Sequence, residues 1–247
     1  MSVKKFFVAT SLAFILVHNI RAQDSLKYST LSLHVGANTV YNKDLFQSPY
    51  TYKGTNLLVN SNYSSFRAKG MHIIDLTYSG GQIKSIVSPE ANNKLLLFSY
   101  DYLFRLAPET KKFMPSLGFG LHTLLSNTNY LPTIESPKSY LSAGAFFTLS
   151  GNLIYRINQK SNIRMQVALP IAGVVYRPNF EIDGETLTKV TLPGKSNLFS
   201  ITLDYNYKLT PKLSVTATYH YNYFTFNKPR PITILQNGLF IGVRKTF

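Results

Sequence analysis

The chain has 247 residues, which is enough for one large domain or two small ones. Its 17 Tyr and 17 Phe favour β-structure, and the absence of Cys excludes a disulfide scaffold and a thiolate metal site. The formal net charge of +15 points to an anionic partner, either nucleic acid or an anionic membrane surface, unless the basic side chains only decorate loops and turns.

Residues 1–22 have the three parts of a secretory signal peptide. Lys4 and Lys5 form a basic start, an apolar core of about 12 residues follows, and the predicted cleavage site is Ala22–Gln23. The core is too short for a membrane anchor, and the absence of Cys excludes a lipoprotein. We therefore expect residues 23–247 to form the folded domain of an exported protein.

After the leader, apolar and polar residues alternate with a period of two, as in β-strands that have one apolar face. The alternating segments, in chain order, are 28–39, 54–66, 72–78, 96–106, 116–125, 141–155, 163–169, 199–208, 213–223 and 237–247. Pro170 predicts a bend or bulge, because proline cannot donate to a strand ladder. The mean hydropathy is −0.03, and no apolar run of about 20 residues follows the leader, so no transmembrane helix is predicted.

The connections between these segments alternate between short and long. The short turns are 67–70, 107–112, 158–161 and 209–211, and the long loops are 40–53, 82–93, 126–138, 176–197 and 227–236. Asp183-Gly184 predicts a tight hairpin turn inside the longest loop. Since the two kinds alternate along the chain, all short turns share one end of the predicted sheet and all long loops share the other.

The leader, the alternation, the loop rhythm and the terminal Phe247 together resemble the small outer-membrane β-barrels of Gram-negative bacteria. Lys245 departs from the apolar residue often found at that position in them. The resemblance implies a closed, antiparallel, up-and-down barrel of about ten strands, with 8 or 12 as alternatives, and both termini in the periplasm. It also implies outer-membrane lipid including lipopolysaccharide, the barrel-assembly machinery and periplasmic chaperones as partners, with Phe247 as the assembly signal and no nucleic acid.

A period of two does not say which face points outward, since a soluble lipocalin-type barrel alternates equally, with its apolar face inside. The leader and the long strands favour the apolar face outside, against lipid. The polar face would then line a narrow lumen, filled by an ion-paired plug. The predicted lumenal network is Asp75, Asp101, Arg105, His122, Arg164, Asp204 and His220, together with His34 and Lys208.

The candidate chemistry is sparse. No phosphate-binding glycine loop and no zinc spacing occurs, and Gly118 and Gly120 predict room for a facing side chain. The lumenal histidines have Ser or Thr neighbours that would suit a hydrolase, but hydrogen-bonded lumenal histidines are the simpler interpretation. Asp204 and His220 lie on adjacent strands where they could pair.

The long loops suggest two binding hypotheses. Three carboxylates of loop 176–197 could bind calcium or could simply be solvent-exposed loop charges: Glu181, Asp183 and Glu185. Aromatic and basic residues suit glycans or lipopolysaccharide: Tyr41, Lys43, Tyr50, Tyr52, Lys53, Lys228 and Arg230. The omptin proteases, which also have about ten strands, carry acidic residues with His at the outer rim, and these loops lack such a cluster.

Three functions fit the sequence. The first is a non-enzymatic barrel with a structural or loop-mediated binding role, with no catalytic residue, metal or cofactor. The second is a barrel hydrolase acting on lipid or peptide, and the third is a narrow channel for small solutes.

Overall fold

The computed structural model describes residues 27–45, 48–67, 69–87, 90–108, 111–130, 140–177, 187–227 and 231–247. The predicted leader with its cleavage site, the Asp183-Gly184 turn and the candidate calcium carboxylates lie outside these residues. None of the described segments is a helix long and apolar enough to cross a bilayer.

Eleven strands make up the described fold. They are β1 (Tyr28–Asp44), β2 (Thr51–Phe66), β3 (Gly70–Ile83), β4 (Ala91–Arg105), β5 (Phe113–Tyr130), β6 (Tyr140–Arg156), β7 (Ser161–Arg177), β8 (Leu187–Thr191), β9 (Ser196–Lys208), β10 (Leu213–Phe226) and β11 (Ile232–Thr246). All pairs are antiparallel, and ten of the strands close into a ring because β1 pairs with β11 and β6 with β7. The prediction of a closed, up-and-down, ten-stranded barrel is confirmed.

The short strand β8 is additional to the ring. It pairs with the end of β7, from Gly173↔Thr191 to Arg177↔Leu187, on the side of the long loops. Further down the same strand, Ser161–Ala168 of β7 pair with β9. Strand β8 therefore extends the wall of the barrel beyond the point where β9 leaves β7.

The apolar face of the barrel points outward, as predicted. Val35 on β1 is 50% exposed and Ile241 on β11 is 68% exposed, whereas Ser32 on the opposite face of β1 and Thr216 on the inner face of β10 are 0% and 1% exposed. Tyr and Phe rings share the outer surface with the aliphatic side chains, for example Phe119 stacked on Phe147 at 5.6 Å. An apolar band of this extent around a closed barrel is the surface that lipid requires.

The strands extend further toward the long loops than predicted. The segment expected to be loop 40–53 belongs largely to β1 and β2, and Ile232 to Gln236 belong to β11 instead of a loop. The reason is that Val40, Ile232 and Ile234 point inward yet are apolar, with at most 2% exposed. At these three positions an apolar side chain occupies the inward face, so the apolar–polar alternation that marks a strand is lost there.

The bulge predicted at Pro170 is present. Phe147 of β6 pairs with Ala172 while its neighbour Thr148 pairs with Pro170, so that Ile171 is the extra residue on β7. At the bulge the ladder does not require a backbone N–H from Pro170, which proline lacks. The bulge also bends the following part of β7, which pairs with β8.

Candidate functional site

The lumen holds three layers of side chains, from the long loops to the short turns. An apolar layer lies next to the long loops: Val40, Tyr52, Ile83, Ala91, Leu95, Leu97, Leu124, Tyr130, Phe146, Val175, Leu198, Phe224, Phe226, Ile232 and Ile234. A polar belt occupies the middle: His34, Asn60, Asn62, Asp75, Asp101, His122, Ser150, Arg164, Gln166, Asp204, Thr218, His220 and Arg244. A cavity opens at the short-turn end. The prediction of a polar filling throughout is therefore wrong for the first layer, which is apolar.

Asp101 is the best-connected carboxylate of the polar belt. It is 0% exposed and accepts hydrogen bonds from Ser150 Oγ at 2.5 Å and Gln166 Nε2 at 2.8 Å. Its Oδ1 also lies 3.1 Å from His122 Nε2. These partners come from β5, β6 and β7, so one buried charge holds four strands together. A buried carboxylate with this many donors is stable only while the donors remain in place.

Gly120 provides the space that Asp101 occupies. The two residues are register partners on β4 and β5, and a Cβ at Gly120 would lie 2.0 Å from Asp101 Oδ1. The predicted room for a facing side chain is confirmed here. Gly118 serves a different purpose, since its Cβ would lie 1.9 Å from the backbone oxygen of Tyr102.

Asp204 is shared between two arginines of the polar belt. Its carboxylate accepts a hydrogen bond from Thr218 Oγ1 at 2.8 Å, and lies 3.9 Å from Arg164 Nε and 3.7 Å from Arg244 Nη2. Arg244 also donates to Ser32, while Arg164 donates to Asn152 and Gln166. One carboxylate beside two guanidinium groups leaves an excess positive charge on this side of the lumen.

Asp204 does not pair with His220 in the way the sequence suggested. Thr218 lies directly opposite Asp204 in the ladder and takes the hydrogen bond, while His220 lies opposite Thr202. The His220 ring instead contacts Phe240 at 6.2 Å between centroids and borders a cavity of about 50 Å³ inside the polar belt. That volume suits one or two water molecules, which are the natural partners of the ring nitrogens.

Asp75 and His34 form the third cluster of the polar belt. Asn60 connects them, since its Oδ1 lies 2.8 Å from His34 Nδ1 and its Nδ2 donates to Asp75 at 2.9 Å. Asn62 also donates to Asp75, at 3.1 Å. Asp75 is half-buried and has no cationic partner among the described residues, so the predicted ion pairing does not extend to it.

Arg105 and Lys208 lie away from the polar belt. Arg105 packs over the ring of Phe66, with 5.6 Å from its Cζ to the ring centroid, and both basic residues line the cavity at the short-turn end. The three carboxylates of the predicted network belong to one hydrogen-bonded set, because Gln166 joins Asp101 to Arg164, which lies beside Asp204. Ser64 and Asn62 continue the set from Arg164 to Asp75, whereas Arg105 and Lys208 lie outside it.

Two charged groups of the lumen were missing from the predicted network. Arg244 occupies one of the alternate positions of β11 whose side chains point into the lumen, and this alternation is the sequence signal that could have identified it. The second group is the ion pair of Arg177 Nη2 with Asp44 Oδ1, 2.5 Å long and 0% and 3% exposed. It connects β7 to β1 across the lumen, and no sequence signal existed for it because both residues lay in predicted loops.

The candidate glycan-binding residues are dispersed by the longer strands. Tyr52 is buried in the apolar layer, which removes it from the exposed set. Tyr41 and Lys53 are register partners on β1 and β2 with a cation–π contact of 5.1 Å. Tyr50 is exposed in the first loop, and Lys228 and Arg230 lie outside the described residues.

The catalytic geometry of a hydrolase is missing from the described residues. A Ser–His–Asp system needs the histidine between the serine and the carboxylate. Here Asp101 lies between Ser150 and His122, and the trio sits in mid-lumen, away from the rim. The described part of the chain also holds no group of three His, Asp or Glu side chains placed to bind a metal ion.

Replacing Asp101 with Asn is expected to lower the free energy of unfolding by about 1–3 kcal/mol, because an amide cannot accept from all three buried donors. Urea unfolding in lipid vesicles followed by far-UV circular dichroism measures the loss. The matched variant Asp75→Asn removes a half-buried carboxylate and is expected to cost less than half as much. Equal losses in the two variants would contradict the central role of Asp101.

No family model matches the sequence. No curated protein sequence matches it either. Among solved structures, the outer membrane protease OmpT from Escherichia coli superposes with a TM-score of 0.59 at 11% identity, covering 94% of this chain and 100% of that chain. The translocator domain of the autotransporter NalP from Neisseria meningitidis gives 0.47 at 11% identity, over 99% and 98%. Neisserial surface protein A gives 0.40 at 13% identity, over 88% and 97%. The likeness to OmpT shows that the chain has the fold of the outer-membrane β-barrels.

Proposed function

We propose that the protein is a non-enzymatic outer-membrane barrel with a sealed lumen and a structural or loop-mediated binding role. Both termini face the periplasm, and outer-membrane lipid including lipopolysaccharide surrounds the apolar band. Periplasmic chaperones and the barrel-assembly machinery deliver the chain, with Phe247 as the assembly signal.

The apolar layer is the observation that carries this proposal. Phe146 and Phe224 are 1% and 0% exposed, and their rings meet edge to face at 6.1 Å between centroids within this layer. Gly144 and Gly173 on the neighbouring positions leave the room that these rings occupy. Packed apolar side chains such as these exclude both water and ions, which would lose their hydration among them.

Binding through the long loops is supported by apolar side chains that project from that end of the barrel. Ile86 and Val87 in the connection between β3 and β4 are 103% and 70% exposed, and Val190 on β8 is 74% exposed. Apolar side chains beyond the membrane band contribute nothing to lipid contact, so their exposure suits a partner on the outer side. The long-loop end of the lumen offers no comparable surface, because the buried side chains of the apolar layer contact one another there.

Purified, refolded protein in planar bilayers is expected to give no stable conductance steps, because the apolar layer blocks the lumen. Insertion is verified on the same samples by the faster electrophoretic migration of the folded barrel before heating. Stable unitary steps from correctly inserted protein would contradict the sealed lumen and favour a narrow channel.

A further inference from the structure

The short-turn end of the lumen contains a cavity of about 270 Å³, called here the vestibule. All ten strands of the ring contribute to its wall, and residues of the turns after β4 and β9 border its mouth. The volume is slightly below the 300–1,000 Å³ typical of ligand pockets, so an occupant has to be small. Further inward, the polar belt holds a cavity of only about 50 Å³.

Every charged side chain among the described residues that line the vestibule is positive. The five are Arg105, Arg156, Arg164, Lys208 and Arg244, and the described lining includes neither Asp nor Glu. Asp204, which does not line the vestibule, lies near both Arg164 and Arg244, but its single negative charge neutralises only one of these two positive charges. Among the described residues no carboxylate pairs with Arg156 or Lys208.

The surroundings of the vestibule strengthen this positive field. The described residues of the four short turns and their flanks add Arg67, Lys69, Lys111, Lys112, Lys160 and Lys212. The one described negative group at this end is the C-terminal carboxylate, and Phe247 is 63% exposed on the outer side of the barrel. A concave site lined by one sign of charge with low-dielectric walls concentrates ions of the opposite sign.

One wall of the vestibule is apolar and aromatic. Phe66 and Met71 belong to a buried cluster at this end, with Tyr28 and Ile154 packed against it. The rings of Tyr28 and Phe66 are stacked at 4.4 Å, and Arg105 lies over Phe66. The vestibule therefore offers guanidinium groups beside an apolar surface, within one small cavity.

We propose that the vestibule binds a small organic anion with an apolar portion, such as an aryl or short alkyl carboxylate or phosphate ester. The anionic head accepts charge-assisted hydrogen bonds from Arg156 and Lys208, and the apolar portion packs on Phe66, Met71 and Ile154. Guanidinium groups bind carboxylate and phosphate alike in a bidentate manner, which is why both head groups qualify. The site is independent of the long-loop end, and it is a dead-end binding site because the polar belt and the apolar layer lie behind it.

The test is a fluorine NMR titration of the full folded chain in phosphatidylcholine nanodiscs with 4-fluorophenylacetate, with empty nanodiscs as the partition control. We expect saturable binding to one site, weakened about tenfold in Arg156→Gln because one charge-assisted interaction is lost. The matched variant Arg67→Gln removes an exposed cation of the same rim that does not line the vestibule, and it is expected to weaken binding less than about twofold, because salt screens an exposed charge at a distance. Lys208→Gln, at an exposed position, provides the same test if Arg156→Gln does not fold.

Competition experiments identify the chemistry of the ligand. Displacement of the probe by phenylacetate or by phenyl phosphate supports the site and shows which head group it takes. The proposal is overturned if 2-phenylethanol displaces the probe equally well, since charge would then be irrelevant. It is also overturned if inorganic phosphate binds as tightly, if Arg156→Gln and Arg67→Gln behave alike, or if no saturable binding occurs.

Discussion

Replacing Arg177 with Met is expected to lower the free energy of unfolding by about 3–5 kcal/mol, the usual result of leaving one partner of a buried ion pair without the other. Asp44 is 3% exposed, so its carboxylate loses its cation where water cannot replace it. The variant also loses the hydrogen bond from Arg177 Nη1 to Ser142 on β6. Urea unfolding in phosphatidylcholine vesicles, followed by circular dichroism and by electrophoretic mobility, measures the change.

Two control variants distinguish a buried charge from a generally weakened barrel. The double variant Asp44→Asn with Arg177→Met removes both charges and is expected to recover most of the loss. The exposed pair Lys84–Glu90, with side chains 64% and 37% accessible, provides the surface comparison. Lys84→Met is expected to cost less than about 1 kcal/mol. A loss in Arg177→Met no larger than in Lys84→Met would show that the ion pair across the lumen does not stabilise the fold.

Placing Arg at Ile241 is expected to destabilise the membrane-embedded barrel by about 2–4 kcal/mol, the typical effect of a basic residue on the lipid face at mid-depth. Ile241 lies near the middle of the outer surface, paired with Val35 on β1 and Ala217 on β10, and is 68% exposed. The same urea unfolding experiment in vesicles measures the loss.

The matched variant Leu213→Arg places the same side chain on the same outer face at the short-turn end, beside Lys245. There the guanidinium group reaches the polar interface, and the expected loss is below about 1 kcal/mol. If Ile241→Arg were no more costly than Leu213→Arg, the exposed apolar band would not lie in a bilayer.

The architecture was predictable because a transmembrane strand shows its two environments at alternate positions. Leu33, Val35 and Ala37 meet one environment, and Ser32 and His34 the other, so the alternation sorts the residues into two faces. The bulge at Pro170 followed from a missing backbone donor. These features depend on local chemistry and need no knowledge of which strands face each other across the lumen.

The contacts inside the lumen were less predictable because they connect strands that are distant in the ring. Gln166 on β7 donates to Asp101 on β4 only because the curvature of the sheet brings them together. The alternation correctly predicted that Asp204 and His220 point into the lumen. The strand register, however, places Thr218 opposite Asp204, and Thr218 donates the hydrogen bond. The ends of the strands were missed where inward positions such as Val40 and Ile234 are as apolar as outward ones.

The pairing of the first strand with the last has a kinetic consequence. Thr30 bonds in register with Thr246, so the final ladder joins segments from opposite ends of the folded chain. Such a non-local contact has the largest loop-closure entropy and forms late, which makes folding slow. Until it forms, β1 and β11 each present a bare edge to the surroundings, so the half-assembled sheet is the species most exposed to aggregation, and shielding those two edges should speed the appearance of the native barrel.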